Sequence, residues 1–217
     1  VISTGSVTTL AGSGSAGSSD GTGTSASFYL PYGITTNGTN LYSVDFGSNL
    51  IRQIVISTGS VTTLAGSGSA GSSDGTGTSA SFDYPRGITT DGRNLYVSDY
   101  NNHLIRQIVF STGVVTTLAG TGSSGSTNGT GTSASFSSPI GITTDGRNLY
   151  VTDESSSTIR KVVISTGVVT TLAGTGSIGS LNDTGTSASF YHPHGITTDG
   201  TNLYVADKKN FLIRQIE

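Results

Sequence analysis

A chain of 217 residues is long enough for one domain that buries roughly 70% of its unfolded surface. Charged residues are only 11% of it and the formal net charge is −3, so no clustered Lys/Arg face is on offer and nucleic acid is set aside as a partner. Cysteine is absent, which excludes disulfides and thiolate metal sites, and no apolar run approaches the length of about 18 residues that a membrane-spanning helix needs.

The chain repeats itself with a period of 54 and no insertion: "VISTGSVTTLAG" at Val1 returns at Val55, as "VFSTGVVTTLAG" at Val109 and as "VISTGVVTTLAG" at Val163. Repeats 1–54, 55–108, 109–162 and 163–216 together make a single domain spanning 1–217. The first two differ at 11 of 54 positions, the mark of a recent tandem duplication or of an engineered array.

In chain order, the opening run of each period leads into a glycine- and serine-rich linker such as "GSGSAGSSDGTG". It lacks the Lys-Ser/Thr and following helix of a phosphate loop, and the alternating acids and final Glu of a calcium loop. The linkers read instead as turns with glycine-supplied positive φ and flexible tips. Phe28, Phe82, Phe136 and Phe190 follow, as expected plugs between repeats, inside a frame F-x-x-P-x-G that recurs four times. Next come a β-prone run, "GITT", a turn at Asp91-Gly92 in the second repeat, and a second run ending in Asp, which together predict a hairpin of strands a and b. "LIRQIV" and "VVTTLA", hinged at Ser-Thr-Gly, predict a second hairpin, strands c and d. No window carries a helical period.

Four strands in every period predict an all-β chain folded as a β-propeller of four blades, with a β-helix as the runner-up. The phase of the repeat predicts how the ring closes. A strand d near residues 6–12 lacks its own strand c, and the fourth repeat lacks a strand d, so strand exchange between the two ends closes the ring. The same exchange between two chains gives a ring of eight blades, so monomer and homodimer are both carried forward.

Each blade also places an Asp after strand b (Asp45, Asp99, Asp153, Asp207) and an Arg seven residues on in strand c (Arg52, Arg106, Arg160, Arg214). Neighbouring strands of one hairpin bring such a pair together, and fourfold recurrence argues for architecture rather than catalysis. Variation falls elsewhere, in the b–c loops and the lead-ins to strand a, which share one end of a propeller. The innermost slot, one residue before the strand a glycine, holds Tyr32, Arg86, Ile140 and His194. Farther out are Tyr29, Tyr84, Tyr191 and His192, and the b–c loops add Phe46, Tyr100, His103 and Phe211. Changing loops on a constant frame are what a ligand-binding end looks like, and aromatic and arginine anchors suit that use. The same loops would also drift if they bound nothing. No nucleophile has an adjacent base and no G-x-S-x-G elbow exists, so no catalytic residue, metal ligand or cofactor is assigned.

The stretches "PRGITTDGRNLYVSDYNNHLIRQI" (85–108) and "VTTLAGTGSSGSTNGTGTSASF" (115–136) resemble the NHL repeat and its linker, and the resemblance extends over the whole chain. Such propellers commonly have six blades and resemble platforms for protein, RNA or ligand binding, with a minority acting as lyases or lactonases through a metal in the channel. The resemblance therefore implies a non-enzymatic module that binds a protein, peptide or glycan. Its alternatives are a purely structural repeat and a metal-dependent lyase or lactonase. Low charge and abundant Ser and Thr lean towards an extracellular or cell-envelope setting. The first repeat departs from the pattern, with "LYSVD" where the second has "LYVSD", and looser packing is expected around Ser43.

Overall fold

In the computed structural model, which describes residues 4–217, the repeats fold as four radial blades of antiparallel sheet, without an α-helix among the described residues. Blade 1 contains β1 (Gly21–Thr22), β2 (Pro31–Thr36), β3 (Asn40–Asp45), β4 (Leu50–Val55) and β5 (Ser60–Ala65). Blade 2 contains β6 (Gly75–Thr76), β7 (Pro85–Thr90), β8 (Asn94–Asp99), β9 (Leu104–Val109) and β10 (Val114–Ala119). Blade 3 repeats this as β11 (Gly129–Thr130), β12 (Pro139–Thr144), β13 (Asn148–Asp153), β14 (Thr158–Val163) and β15 (Val168–Ala173). Blade 4 has three strands, β16 (Pro193–Thr198), β17 (Leu203–Asp207) and β18 (Leu212–Ile216).

Local chemistry sets each hairpin. In blade 2 the Asp91 carboxylate accepts the backbone N–H of Arg93 and Asn94 at 2.8 and 2.7 Å, and the Tyr96 hydroxyl donates to its other oxygen at 2.7 Å. Gly92 supplies the φ of +88° that the turn requires. The expected four strands are present in blades 1 to 3, and the linker adds a two-residue fifth strand outside strand d, pairing Gly75 with Val115 and Thr76 with Val114 in blade 2. The linkers are thus more ordered than turns with flexible tips: Phe82 and Ala70 form a parallel bridge, and Gly71 N–H donates to the Phe82 carbonyl at 3.2 Å.

The core lies between blades. Tyr42, Val44, Ile51 and Ala65 of blade 1 pack on Phe82, Ile88, Leu95, Val97 and Val115 of blade 2, and the same layer recurs between blades 2 and 3. Near the channel, strands a touch backbone to backbone. A Cβ on Gly33, Gly87 or Gly141 would collide with the carbonyl of Arg86, Ile140 or His194 in the next blade, which is why each lead-in delivers glycine there. Ser98 and Thr152 hydroxyls tie this seam further, donating to the carbonyls of Ile140 and His194. Blade 1 has Val44 at that position, so its seam with blade 2 lacks the hydroxyl bridge, and Ser43 instead borders a cavity of about 340 Å³ with Phe28, Ile34 and Ile54.

The self-closing strand exchange is not formed. Among the described residues, 6–11 carry no strand, β18 has no outer neighbour, and the strands a of blades 1 and 4 do not form the seam that joins the other blades.

Candidate functional site

Two constellations stand out. One is repeated four times and joins each blade internally; the other occurs once, at the mouth of the channel.

The repeated one centres on the arginine of strand c. In blade 2 the Arg106 guanidinium donates to Asp99 (2.9 Å) and the Ser81 carbonyl (3.0 Å) through Nη1, and to the Ser73 carbonyl (3.0 Å) and Asp74 (2.9 Å) through Nη2. It stacks at 5.2 Å over Phe82. Arg52, Arg160 and Arg214 repeat this with Asp45, Asp153 and Asp207. The aspartate works in two directions, since Asp99 also accepts the Asp83 N–H (2.8 Å) and the Asn102 side chain (2.8 Å). Burial raises the Asp99 and Asp153 carboxyls to about 6, against the hydrogen bonds and the nearby guanidinium that pull them down. These eight residues join linker, lead-in and hairpin, and all but Arg214, which borders the open edge of blade 4, have fully buried side chains out of reach of a ligand. Sequence reasoning missed the outer partners, Asp20, Asp74, Asn128 and Asn182; their one signal was an Asp or Asn at the same place in every linker, alone in the first three and followed by Asp183 in the fourth. Asn128 and Asn182, each opening an Asn-x-Thr sequence, are therefore committed to arginine.

At the channel mouth, Arg86 enters from the lead-in of blade 2 and lies over three rings, 3.8 Å from the Tyr100 centroid, 5.2 Å from Phe46 and 5.6 Å from Tyr32. Phe46 also packs on Tyr84 at 4.8 Å. Arg86 makes no hydrogen bond or ion pair among the described residues, and its Nε is buried without an acceptor. Arg52, Arg106 and Arg160 share a buried Nε without an acceptor; the contrast lies in Nη1 and Nη2, which have acceptors in all four strand c arginines, as Arg106 shows, and none among the described residues in Arg86. Tyr100 leads on to Glu154, its hydroxyl 3.4 Å from Oε2, while Oε1 is 3.5 Å from His192 Nδ1 and 4.0 Å from Lys208 Nζ. Glu154 and Lys208, the acidic and basic residues of the variable b–c loops, are members that sequence reasoning did not single out. Across the channel, the Tyr32 hydroxyl meets His194 Nε2 at 2.8 Å. Burial lowers the His194 pKa, Lys208 and Arg86 lower it further, and Glu154 opposes them.

Other candidate residues fall outside this cluster. Ile140 is only 1% exposed and belongs to the channel wall, because its neighbouring strands close over it. His103 is a latch between blades: its Nδ1 accepts the Ser138 N–H at 3.0 Å, just as Asn49 Oδ1 accepts the Tyr84 N–H at 2.8 Å one blade earlier. Tyr29 lies against the backbone of Gly47, Tyr191 meets His192 in a tilted ring contact at 5.2 Å, and Phe211 is 92% exposed. Among the described residues no three His, Cys, Asp or Glu side chains converge as a metal site would need, and no helix is long and apolar enough to cross a membrane.

Residues 82–108 match the family profile of the NHL repeat. The chain is 33% identical over 144 residues to NHL repeat-containing protein 2 of Homo sapiens, covering 61% of this chain and 20% of that protein. It is 28% identical over 228 residues to Protein SUPPRESSOR OF QUENCHING 1, chloroplastic, of Arabidopsis thaliana, covering 96% of this chain and 22% of that one. The chain thus spans about a fifth of the length of these relatives. In fold it is similar to an auxiliary nutrient binding protein of Bacteroides ovatus (TM-score 0.68, 22% identity, 88% of this chain and 49% of that). It is also similar to virginiamycin B lyase of Staphylococcus aureus (TM-score 0.53, 19% identity, 86% and 55%).

Proposed function

We propose that this NHL-repeat β-propeller is a non-enzymatic binding module that takes an acidic group of a peptide or glycan on Arg86 at its channel mouth. The observation that carries this reading is Arg86 itself, held over Tyr32, Phe46 and Tyr100 with no acceptor for its donors among the described residues. A guanidinium laid on aromatic faces keeps its in-plane N–H groups free, and a carboxylate meets two of them at once. The rings that hold it supply large contact area at low entropic cost. Glu154, Lys208 and His192 on the far side of Tyr100 offer polar partners to the rest of the ligand.

A binding role agrees with a fold neighbour named as an auxiliary nutrient binding protein, and an extracellular or cell-envelope setting suits such a module. Likeness to a lyase is a likeness of fold, and the scattered donors of this mouth do not favour that chemistry here. A glycan and peptide array screen tests the proposal. Any ligand found should carry a carboxylate and should lose at least about tenfold in affinity with Arg86→Gln, the size of one charge-assisted contact of roughly 1.5–3 kcal/mol. The same ligand should weaken with Tyr32→Ser or His194→Ser. Undiminished binding by the Arg86→Gln protein would refute the reading.

A further inference from the structure

The two flanks of the four-bladed arc are complementary halves of an interface that the molecule already makes three times. On blade 4, Ile213 is 76% exposed and Leu212 43% exposed, whereas the equivalent isoleucines Ile51, Ile105 and Ile159 are 0% exposed. A groove of about 430 Å³ runs beside β18, lined by Asn182, Gly185, Phe190, Arg214 and Ile216. It lies along the β18 edge, where blades 1 to 3 seat strand d. On blade 1, Ile34 is 62% exposed, against 6% and 7% for Ile88 and Ile142.

Residues 6–11 have the sequence needed to fill that groove. Ser6-Val7-Thr8-Thr9-Leu10-Ala11 is identical to β5, which pairs with β4 as Ile51 to Ala65, Arg52 to Thr63, Gln53 to Thr62 and Ile54 to Val61. The segment is already shaped for the role. Gly5 has φ +64°, matching +67° at Gly59, +66° at Gly113 and +68° at Gly167, each the turn before a strand d. Gly12 N–H donates to Gly23 O at 3.0 Å, as Gly66 does to Gly77, and Ala11 packs on blade 1. Val7 nevertheless stands 94% exposed where its counterpart Val61 is 1% exposed.

The matching acceptors and donors wait on blade 4. Asn182, held by Arg214 at 2.9 Å, corresponds to Asp20, Asp74 and Asn128, each of which receives a hydroxyl from a strand d threonine. The Gly185 N–H corresponds to those of Gly23, Gly77 and Gly131, which donate to the glycine carbonyl before strand d at 2.9 Å. Within one chain the segment is anchored on blade 1, and the outer edge of β18, beyond its pairing with β17, has no neighbour among the described residues, which leaves a second molecule to present the segment to it.

We propose that β18 is completed by residues 6–11 of a second copy of this chain, in the register Ile213 to Ala11, Arg214 to Thr9, Gln215 to Thr8 and Ile216 to Val7. The same contact lays the exposed blade 1 face of one copy over Ile213 of the other, a head-to-tail interface that two copies can satisfy twice. Light scattering of the intact protein should give at least twice the 21.9 kDa of one chain, and a single-chain mass at about 100 µM would overturn the proposal. Val7→Asp and Ile213→Asp each change a side chain that is exposed in the single chain, so both proteins should keep their β-sheet circular dichroism and melting temperature while falling to the single-chain mass. An assembly that survives both substitutions refutes strand transfer. Because the chain has no cysteine, Thr8→Cys with Gln215→Cys gives a clean geometric readout. A disulfide between chains supports the proposal, and one within a chain would show self-closure and overturn it.

Discussion

Replacing Asp99 by Asn should damage the protein far more than replacing Asp74 by Asn, although both carboxylates contact the same guanidinium at 2.9 Å. Asp99 is fully buried and Asp74 is 51% exposed in its side chain. An ion pair half in water contributes about 0–1 kcal/mol. Moreover, Asn128 and Asn182 already accept from Arg160 and Arg214 at 3.0 and 2.9 Å, so an amide at position 74 reproduces a geometry the fold uses twice. At position 99 an amide leaves the Arg106 charge buried with only its half-exposed outer partner. It also turns an NH₂ towards a donor, because both oxygens of Asp99 are accepting, from Asp83 N–H on one side and from Arg106 and Asn102 on the other. Breaking a buried pair in this way costs about 3–5 kcal/mol. For a domain of this size that corresponds to roughly 6–20 °C in melting temperature, against less than about 4 °C for Asp74→Asn. Urea unfolding followed by circular dichroism at pH 7.5 measures both. Equal losses, or a loss below about 1 kcal/mol for Asp99→Asn, would refute the claim that the inner carboxylate holds the blade together and the outer one only assists.

His103→Ala should cost about 1–3 kcal/mol by orphaning the Ser138 N–H, while His103→Asn, which copies Asn49 in blade 1, should retain the latch; urea midpoints at pH 8 separate the two. Burial lowers the folded His103 pKa below its ordinary value near 6.5, so between those values the unfolded chain binds more protons and stability falls as pH falls; the stability of His103→Asn relative to the natural protein should therefore rise between pH 7 and pH 5. Val44→Thr should gain about 0.5–1.5 kcal/mol by supplying blade 1 with the hydroxyl that Thr152 donates to the His194 carbonyl, and a thermal melt that shows no gain would mean the seam at Gly33 is already satisfied.

What the sequence made legible was what recurs. A period of 54, two hairpins in each period and an Asp and Arg seven residues apart are all local in the chain, and the physics that turns them into strands and ion pairs acts within one repeat. The outer arginine partners were harder to see because they reach back 32 residues, from Arg106 to Asp74, through a linker whose glycines and serines mask the one polar residue that is used. The channel mouth was legible only in part, since the four inner slots could be found by alignment of the repeats but their fates could not. Ile140 is closed over, Tyr32 and His194 meet across the channel, and Arg86 leans onto the rings of two b–c loops. Those outcomes depend on which side chain stands in the next blade, and so on differences between repeats rather than on the repeat itself. The same logic limits the ring. Residues 6–11 repeat the sequence of β5 and so match the open edge of β18, yet sequence is silent on curvature. In the structure curvature is set by three backbone seams at Gly33, Gly87 and Gly141, and the arc they define holds Gly195 clear of any neighbouring blade.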